Sequence, residues 1–280
     1  MAAGLTLGAT GCMGLPSEDG ARDAGNAIKL TAAQVLGKVS EKTGQTDAFQ
    51  ADLSMKMTGS SEGNMSMSGS MQYRTKPDVA YRMNISDITA AGQSMPGGME
   101  QILVDKTMYM KMPMLQQLGG MPASKPWIRI SLEELEKESG VNFDQLLEQS
   151  RQMDPIVNTK MLTASKDVRE VGKETVDGVQ TTHYSGTYRM QDAIAQLPAD
   201  QQQAYREAIA ESGMESMKFD LWVDDQQLPR QMTMKSDQTA AGAMTMTMKF
   251  KDFGKAVQIT APPAGQVTDL KDMMGRMPTS

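Results

Sequence analysis

The sequence predicts an α+β domain in which one antiparallel sheet curls around a few helices. Apolar and polar residues alternate along many successive segments, which indicates strands with a single buried face. A few intervening segments carry apolar residues at helical spacing instead. Short turns join most of the alternating segments, as is typical of an antiparallel meander. The chain contains no repeat of about 20–50 residues and no dividing linker, so we expect one domain.

Cys12 follows an uncharged N-terminal stretch. Residues 1–12 read MAAGLTLGATGC, and Ala9-Thr10-Gly11 directly precede the cysteine. The pattern resembles the lipobox of bacterial lipoproteins, whose cysteine receives diacylglycerol on its sulfur before the peptide ahead of it is removed. We therefore predict a signal peptide at residues 1–11, truncated at its start because no Lys or Arg precedes Arg22, and lipidation at Cys12. The alternative is a free cysteine after a short apolar N-terminus.

Residues 13–28 read MGLPSEDGARDAGNAI and have no apolar periodicity. A segment rich in Gly, Ala, Ser and Asp is typical of a flexible tether, so residues 12–28 are predicted to be the lipidated cysteine and its tether. The folded domain, predicted at residues 29–264, would then be held at the extracytoplasmic face of the cell membrane. Residues 265–280 follow Pro262-Pro263 and are predicted to be a loose C-terminal tail.

The first half of the domain begins with a predicted helix at 30–44, where Thr31 and Gln34 have capping-box spacing and Gly44 ends the pattern. Alternation then predicts strands at 49–57, 65–73 and 79–85, followed by two strands within 100–112 that are joined at Asp105-Lys106. Residues 113–126 have the composition of a loop, and 127–130 form a short predicted strand. Helical spacing resumes at 131–154 and is predicted to stop at Pro155.

The second half returns to alternation. Strands are predicted at 167–174, 179–190, 216–224, 229–237, 243–252 and 255–260, with a turn at Asp177-Gly178. A polar helix at about 199–212 interrupts them.

Composition excludes several classes of function. The formal net charge is −6, the mean hydropathy is −0.43, and no Lys/Arg cluster is present, so we expect no nucleic-acid partner. One Cys and one His rule out a disulfide framework and a Cys/His zinc site, and we predict neither a metal nor a cofactor. The chain has no G-x-S-x-G, P-loop or H-E-x-x-H motif, so we predict that it is not an enzyme.

Other polar residues have simpler interpretations than a site. His183, on a predicted strand, is interpreted as a sheet residue, and Asp224-Asp225 as turn residues before Gln-Gln-Leu-Pro. The acidic residues Glu133, Glu134, Glu136 and Glu138 are predicted to be one solvated helix face.

Methionine is the unusual component, with 28 residues in a chain of 280. Many occur as M-x-M, as in Met108-Tyr109-Met110 and Met244-Thr245-Met246, and a period of two places them on one face of a strand. Three interpretations remain open. They could form an ordinary core, the wall of a cavity that adapts to acyl chains, or a soft-metal site, since thioether sulfur selects Cu(I).

Three segments resemble a known family. They read GKETVDGVQTTHY (172–184), LWVDDQQLPR (221–230) and FKDFGKAVQITAPP (250–263). Together with the first helix and the meander, they are similar to the LppX/LprG-type lipoproteins of actinobacteria, which are relatives of the LolA and LolB lipoprotein carriers. The resemblance covers about residues 29–270. It implies a half-open antiparallel β-barrel, that is, a curled sheet that encloses helices and an apolar cavity. In the family, this cavity holds the acyl chains of a lipid or glycolipid.

The resemblance also implies partners. These are a lipid or glycolipid ligand, the membrane, which the chain contacts through its lipid anchor, and a membrane exporter. The implied role is lipid transport or presentation. The predicted cavity wall consists of Phe49, Leu53, Met55, Met57, Met65, Met67, Met71, Val79, Tyr81, Met83, Ile85, Met108, Met110, Met244, Met246 and Met248. Two alternatives stay open: an envelope sensor or protein-binding module on the same fold, and a methionine-rich copper-binding lipoprotein.

Overall fold

The computed structural model describes residues 30–60, 63–95, 97–117, 121–134, 155–237, 239 and 242–274. Its main component is a single sheet of thirteen strands. The strands are β1 Ala48–Ser60, β2 Gly63–Arg74, β3 Ala80–Ala90, β4 Gln93–Met95, β5 Met99–Val104, β6 Thr107–Lys111, β7 Trp127–Ser131, β8 Arg169–Val176, β9 Val179–Arg189, β10 Ser216–Val223, β11 Pro229–Ser236, β12 Ala243–Lys251 and β13 Val267–Asp269.

The strand order is β13-β7-β6-β5-β3-β2-β1-β12-β11-β10-β9-β8, with β4 paired to β3. All pairings are antiparallel except that of β13 with β7. The sheet is curled and does not close on itself, because β13 and β8 remain at its two edges. The predicted α+β fold with a curled sheet is therefore confirmed.

Six α-helices that lie wholly within the described residues accompany the sheet, together with a 3₁₀ helix at Ala264–Gln266. The α-helices are α1 Ala32–Gly44, α2 Pro113–Gln117, α3 Pro155–Leu162, α4 Met190–Ile194, α5 Ala199–Ser212 and α6 Leu270–Met274. The predicted capping box of α1 is present, with Thr31 Oγ1 accepting from the Gln34 backbone N–H and Gln34 Oε1 accepting from the Thr31 N–H. Val35, Leu36 and Val39 of α1 are buried in the main core.

The turns predicted between strands are also present. Asp105 and Lys106 have φ angles of 49° and 53°, and Asp177 and Gly178 have φ angles of 47° and 83°. Two consecutive residues at positive φ make the tight hairpin turn whose twist matches that of the flanking strands. Hairpins β5–β6 and β8–β9 follow from these two turns.

Several boundaries differ from the prediction; β3, for example, ends at Ala90 rather than at residue 85. Pro155, predicted to stop a helix, is the first residue of α3, since proline is compatible with the first helical turn, where its missing N–H is not needed. The strand predicted to run to residue 190 ends at Arg189, and Met190 begins α4. Part of the predicted loop at 113–126 is helix α2. Residues 135–154, most of the helix predicted at 131–154, lie outside the described residues.

The strand predicted at 255–260 is wrong. This segment is in no strand of the sheet. Its alternation reflects burial alone, because Val257 and Ile259 pack against Ile102, Val104 and Trp127 in a second, smaller core on the outer face of the sheet.

The prediction of a loose tail at 265–280 is also wrong for its first part. Val267–Asp269 pair with β7 as the parallel edge strand β13, α6 follows, and Asp269 forms an ion pair with Arg129. A three-residue parallel pairing is too short to produce a recognisable period. Residues 275–280 lie outside the described residues.

Candidate functional site

The inner, concave face of the sheet carries the residues predicted for the cavity wall. In register, Met55 of β1 lies opposite Met67 of β2 and Met246 of β12, and Met57 lies opposite Met65 and Met244. Met83 pairs with Met71 on one side and Gln101 on the other, and Gln101 pairs with Met110. Directly opposite residues point to the same face of a sheet. The structure therefore brings the predicted strand residues onto one surface.

One end of the concave face is closed. Phe49 packs against Tyr73, with ring centroids 5.2 Å apart, and against Phe250 at 6.0 Å. Helices α1 and α3 cover this end, where Leu36 and Leu162 are fully buried in the same core. The predicted wall residues Phe49, Met71, Tyr81, Met83, Ile85 and Met248 are all buried members of this core. At this end, the surface is a packed core.

Burial decreases along each central strand toward its other end. On β1, Phe49 and Ala51 are buried, whereas Leu53, Met55 and Met57 are half-buried. The same change occurs on the neighbouring strands β2 and β12. The concave face is thus continuous and apolar but only partly covered at one end.

Six half-buried methionines form this partly covered end, and we name them the methionine patch. They lie in two cross-strand rows, Met65–Met57–Met244 and Met67–Met55–Met246. Side chains directly opposite on adjacent strands approach within contact distance. The patch is therefore a continuous surface of flexible thioether side chains.

The remaining predicted wall residues lie at the margins of the core. Leu53, Val79 and Met108 are partly buried and pack against it. Met110 is half-buried on β6, on the same face as Met108. A bulge between Ser68 and Gly69 shifts the register on β3, so that Ile88 rather than an odd-numbered residue lies opposite Met67. Alternation alone does not reveal such a shift.

Two tyrosines have hydroxyl groups buried in this core. Burial raises the pKa of Tyr81 to about 12, and burial also raises the pKa of Tyr188 above its ordinary value. Both phenols therefore remain neutral at physiological pH.

His183 lies on the opposite, outer face of the sheet. Its Nδ1 is 2.9 Å from Glu174 Oε1, its Nε2 is 3.0 Å from Asp220 Oδ1, and its ring stacks on Trp222 with centroids 4.3 Å apart. Hydrogen bonds from Trp222 and from His183 lower the pKa of Glu174. Both ring nitrogens are occupied by partners, which agrees with the interpretation of His183 as a sheet residue.

The Asp224 turn also has the predicted structural role. Its carboxylate accepts hydrogen bonds from the backbone N–H groups of Gln226 and Leu228 and from Arg230 Nε. Glu133 and Glu134 are exposed, whereas Glu136 and Glu138 lie outside the described residues. Cys12 and the predicted tether lie outside them too, so lipidation stays a prediction. Among the described residues, no group of three or more His, Cys, Asp or Glu side chains could hold a metal ion.

A pocket between α4 and α5 was not predicted from the sequence. It has a volume of about 590 Å³. Met190, Ile194, Ile209, Ala210 and Met214 supply its apolar lining, and Arg189, Gln191, Arg206 and Glu215 its polar lining. Spacing could not reveal it, because the short helix α4 was not predicted and nothing in the pattern showed how α4 and α5 pack.

None of the helices described here combines the length and the apolar character required to cross a membrane. The curled, unclosed sheet with helices on its concave face defines a half-open β-barrel. No family model matches the sequence.

Two relatives and one solved structure specify this class further. A 31.2 kDa protein of Streptomyces griseus, encoded between rplA and rplJ, is 30% identical over 259 residues, which cover 88% of this chain and 81% of the relative. A Streptomyces coelicolor protein named "Putative lipoprotein" is 26% identical over 283 positions, with coverages of 97% and 87%. LprF from Mycobacterium bovis has a TM-score of 0.52 at 15% identity, covering 82% of this chain and 96% of LprF.

The chain belongs to the same family as the Streptomyces griseus protein, and its fold is that of the LppX/LprG-type lipoproteins. The resemblance inferred from the sequence is confirmed.

Proposed function

We propose that the protein is a cell-envelope lipoprotein that holds the acyl chains of a lipid or glycolipid on its concave face. The observation that carries this proposal is the gradient of burial along that face. A fully buried aromatic end is continuous with the half-buried methionine patch on the same strands. An apolar surface that a folded protein leaves partly uncovered is a common sign of a binding site.

The chemistry of the patch suits acyl chains. Methionine is unbranched and has three rotatable side-chain bonds, so it can adapt to chains of different length and unsaturation. Flexible methionine-rich surfaces accept varied apolar partners for the same reason. The central strands present Met55, Met67 and Met246 side by side, with no charged residue within the two rows.

Energetics explain why such a surface would be useful. Burying an acyl chain is worth about 0.8 kcal/mol per CH₂, so two 16-carbon chains amount to roughly 25 kcal/mol. A lipid with that cost of exposure does not cross water unaided at a useful rate. An apolar surface on a tethered domain would shield the chains during transfer through the envelope, in transport or presentation.

The location follows from the proposed anchor. Lipidation at Cys12 would attach the domain to the extracytoplasmic face of the membrane, with residues 13–28 as the tether. The name of the Streptomyces coelicolor relative supports a lipoprotein. Delivery to or from a membrane exporter would complete the proposed role.

Binding of a neutral diacylglycerol with a pyrene-labelled acyl chain tests the proposal. Changing Met55, Met57, Met65 and Met67 to Gln keeps side-chain length but makes the patch polar, and should weaken binding at least tenfold. The matched control changes the outer-face residues Ser54, Thr58, Ser66 and Ser70 to Gln on the same two strands, and should bind as wild type does. If both variants bound the labelled diacylglycerol equally well, each with an unchanged melting temperature, the methionine patch would not be the lipid-binding surface.

A second candidate function, Cu(I) binding, is favoured by the same two rows. They bring six thioether sulfurs onto one half-buried surface, and thioethers select Cu(I). This candidate predicts tight stoichiometric binding of the metal, which lipid binding does not require.

A further inference from the structure

The pocket between α4 and α5 is distinct in composition from the methionine patch. Its apolar lining belongs to the main core or packs against it, with Met190 and Ile194 buried and Ile209 and Met214 partly buried. Its volume, about 590 Å³, is within the range of small-molecule sites. The pocket therefore offers an apolar interior of ligand size.

The charged groups of the lining are two arginines and one glutamate. Arg189 and Arg206 are exposed, and Glu215 is exposed as well. This excess of positive charge occurs in a chain whose formal net charge is −6. The pocket thus combines an apolar interior with two arginines at its rim.

The present partners of the two arginines leave donors available. Arg189 uses Nε and Nη2 on Asp192 Oδ2, at 3.1 and 2.9 Å, and Asp192 also lies 3.5 Å from Lys166 Nζ. Arg206 donates from Nη2 to the neutral amide oxygen of Gln202 at 2.6 Å. A guanidinium has five N–H donors in a planar fork that matches carboxylate and phosphate oxygens. An anion could therefore be bound without first breaking these contacts.

We propose that this pocket binds a single-chain anionic amphiphile, with the acyl chain against Ile194, Ile209 and Met214 and the carboxylate or phosphate at Arg189 and Arg206. The pocket shares no residue with the methionine patch. The shared chemistry is one acyl chain and one anionic group. A free fatty acid or a lysophospholipid could supply both.

Calorimetric titration with three probes below their aggregation concentrations tests the proposal. The probes are oleate, oleoyl lysophosphatidate and neutral mono-oleoylglycerol, which carry the same acyl chain. We expect the two anions to bind wild type more tightly than the neutral probe, and the variant R189Q/R206Q to bind them about tenfold more weakly, as for a lost charge-assisted contact. The tighter anion identifies the source as a fatty acid or a lysophospholipid.

Two further variants serve as controls. K249Q/K251Q removes two positive charges from the outer face of β12, where Lys249 pairs with Asp177 and Lys251 with Asp52, and should bind like wild type. Ala210→Trp should fill the pocket and abolish binding of all three probes. Tight binding of the neutral probe, or equal losses in K249Q/K251Q and R189Q/R206Q, would overturn the proposal.

The methionine-to-glutamine variant separates this proposal from the proposed function. It should lose pyrene-diacylglycerol while retaining oleate, whereas R189Q/R206Q should do the reverse. Oleate binding that responds to the methionine changes and not to the arginine changes would contradict a separate pocket.

Discussion

The hydroxyl of Tyr188 donates a hydrogen bond to the thioether sulfur of Met234, 3.7 Å away, on the concave face. Both side chains are buried in the main core, in the same region as Phe219, whose ring lies 6.2 Å from that of Tyr188. Thioether sulfur is a weak acceptor. The phenol is therefore held in an apolar environment with little to stabilise its ionised form.

Stability should fall as pH rises above 10. Burial raises the pKa values of Tyr81 and Tyr188 in the folded protein, so the unfolded chain releases its phenol protons at lower pH than the folded protein does. The free energy of unfolding therefore falls as pH rises from the unfolded pKa toward the folded pKa. For Tyr81, a rise from 10 to about 12 corresponds to roughly 3 kcal/mol. Urea unfolding between pH 8 and 11 should show a shallower decline in Tyr81→Phe than in wild type. The control is Tyr109→Phe, at a half-buried position on the outer face. If the free energy of unfolding declined equally steeply with pH in both variants, the decline could not be assigned to Tyr81.

Asp224→Ala should destabilise the fold by about 3–5 kcal/mol, the typical loss when one partner of a buried ion pair is removed. The Asp224 side chain is 1% exposed, and that of Arg230, its partner at 2.6 Å, is 23% exposed. The adjacent Asp225→Ala is the matched control, because Asp225 is exposed. Chemical denaturation of both variants gives the comparison. Losses of similar size would show that the contacts of the Asp224 carboxylate with Arg230 and with the turn N–H groups are not what stabilises this region.

Cys12→Ser should release the protein from membranes or leave it unprocessed. The thiol is the predicted acceptor of diacylglycerol, and a serine hydroxyl does not replace it. Membrane fractionation and the intact mass of the protein measure the effect. An unchanged membrane fraction with an unchanged mass would exclude lipidation at this residue.

Replacing Met55, Met67 and Met246 with Leu should leave folding intact, since Leu–Met exchange usually costs under about 1.5 kcal/mol. These three residues form one row of the methionine patch and are half-buried on the concave face. We expect purified wild-type protein to carry no copper, as measured by elemental analysis and Cu(I) titration. Stoichiometric sub-micromolar Cu(I) binding that the triple change abolishes would favour the copper-binding alternative over lipid binding.

Strict alternation made the central strands predictable. Residues such as Met65, Met67 and Met71 occupy one face of a two-residue period, and a sheet with one buried face must preserve it. The turn at Asp177-Gly178 was predictable because its residues accept positive φ. These local signals account for most strand boundaries and for the composition of the concave face.

Features that depend on packing between distant segments were not predictable. Val257 and Ile259 alternate like a strand, yet their partners are Ile102 and Trp127 on the outer face, and no backbone pairing results. Pro155 is compatible with both the end and the beginning of a helix, so the presence of a proline alone does not show which of the two it marks. The gradient of burial across the methionines likewise depends on which end of the sheet the helices cover.

Mass spectrometry of lipid extracted from protein purified from its own host measures whether the concave face carries an acylated lipid. Met67→Trp should narrow the half-buried end of the concave face and lower lipid occupancy without lowering the melting temperature. Met83→Trp is the comparison, because Met83 is 7% exposed and overpacking a filled core costs about 1–3 kcal/mol. We expect acylated lipid on wild type and little on Met67→Trp at equal stability. Wild-type protein without lipid, or full occupancy in Met67→Trp, would contradict this expectation.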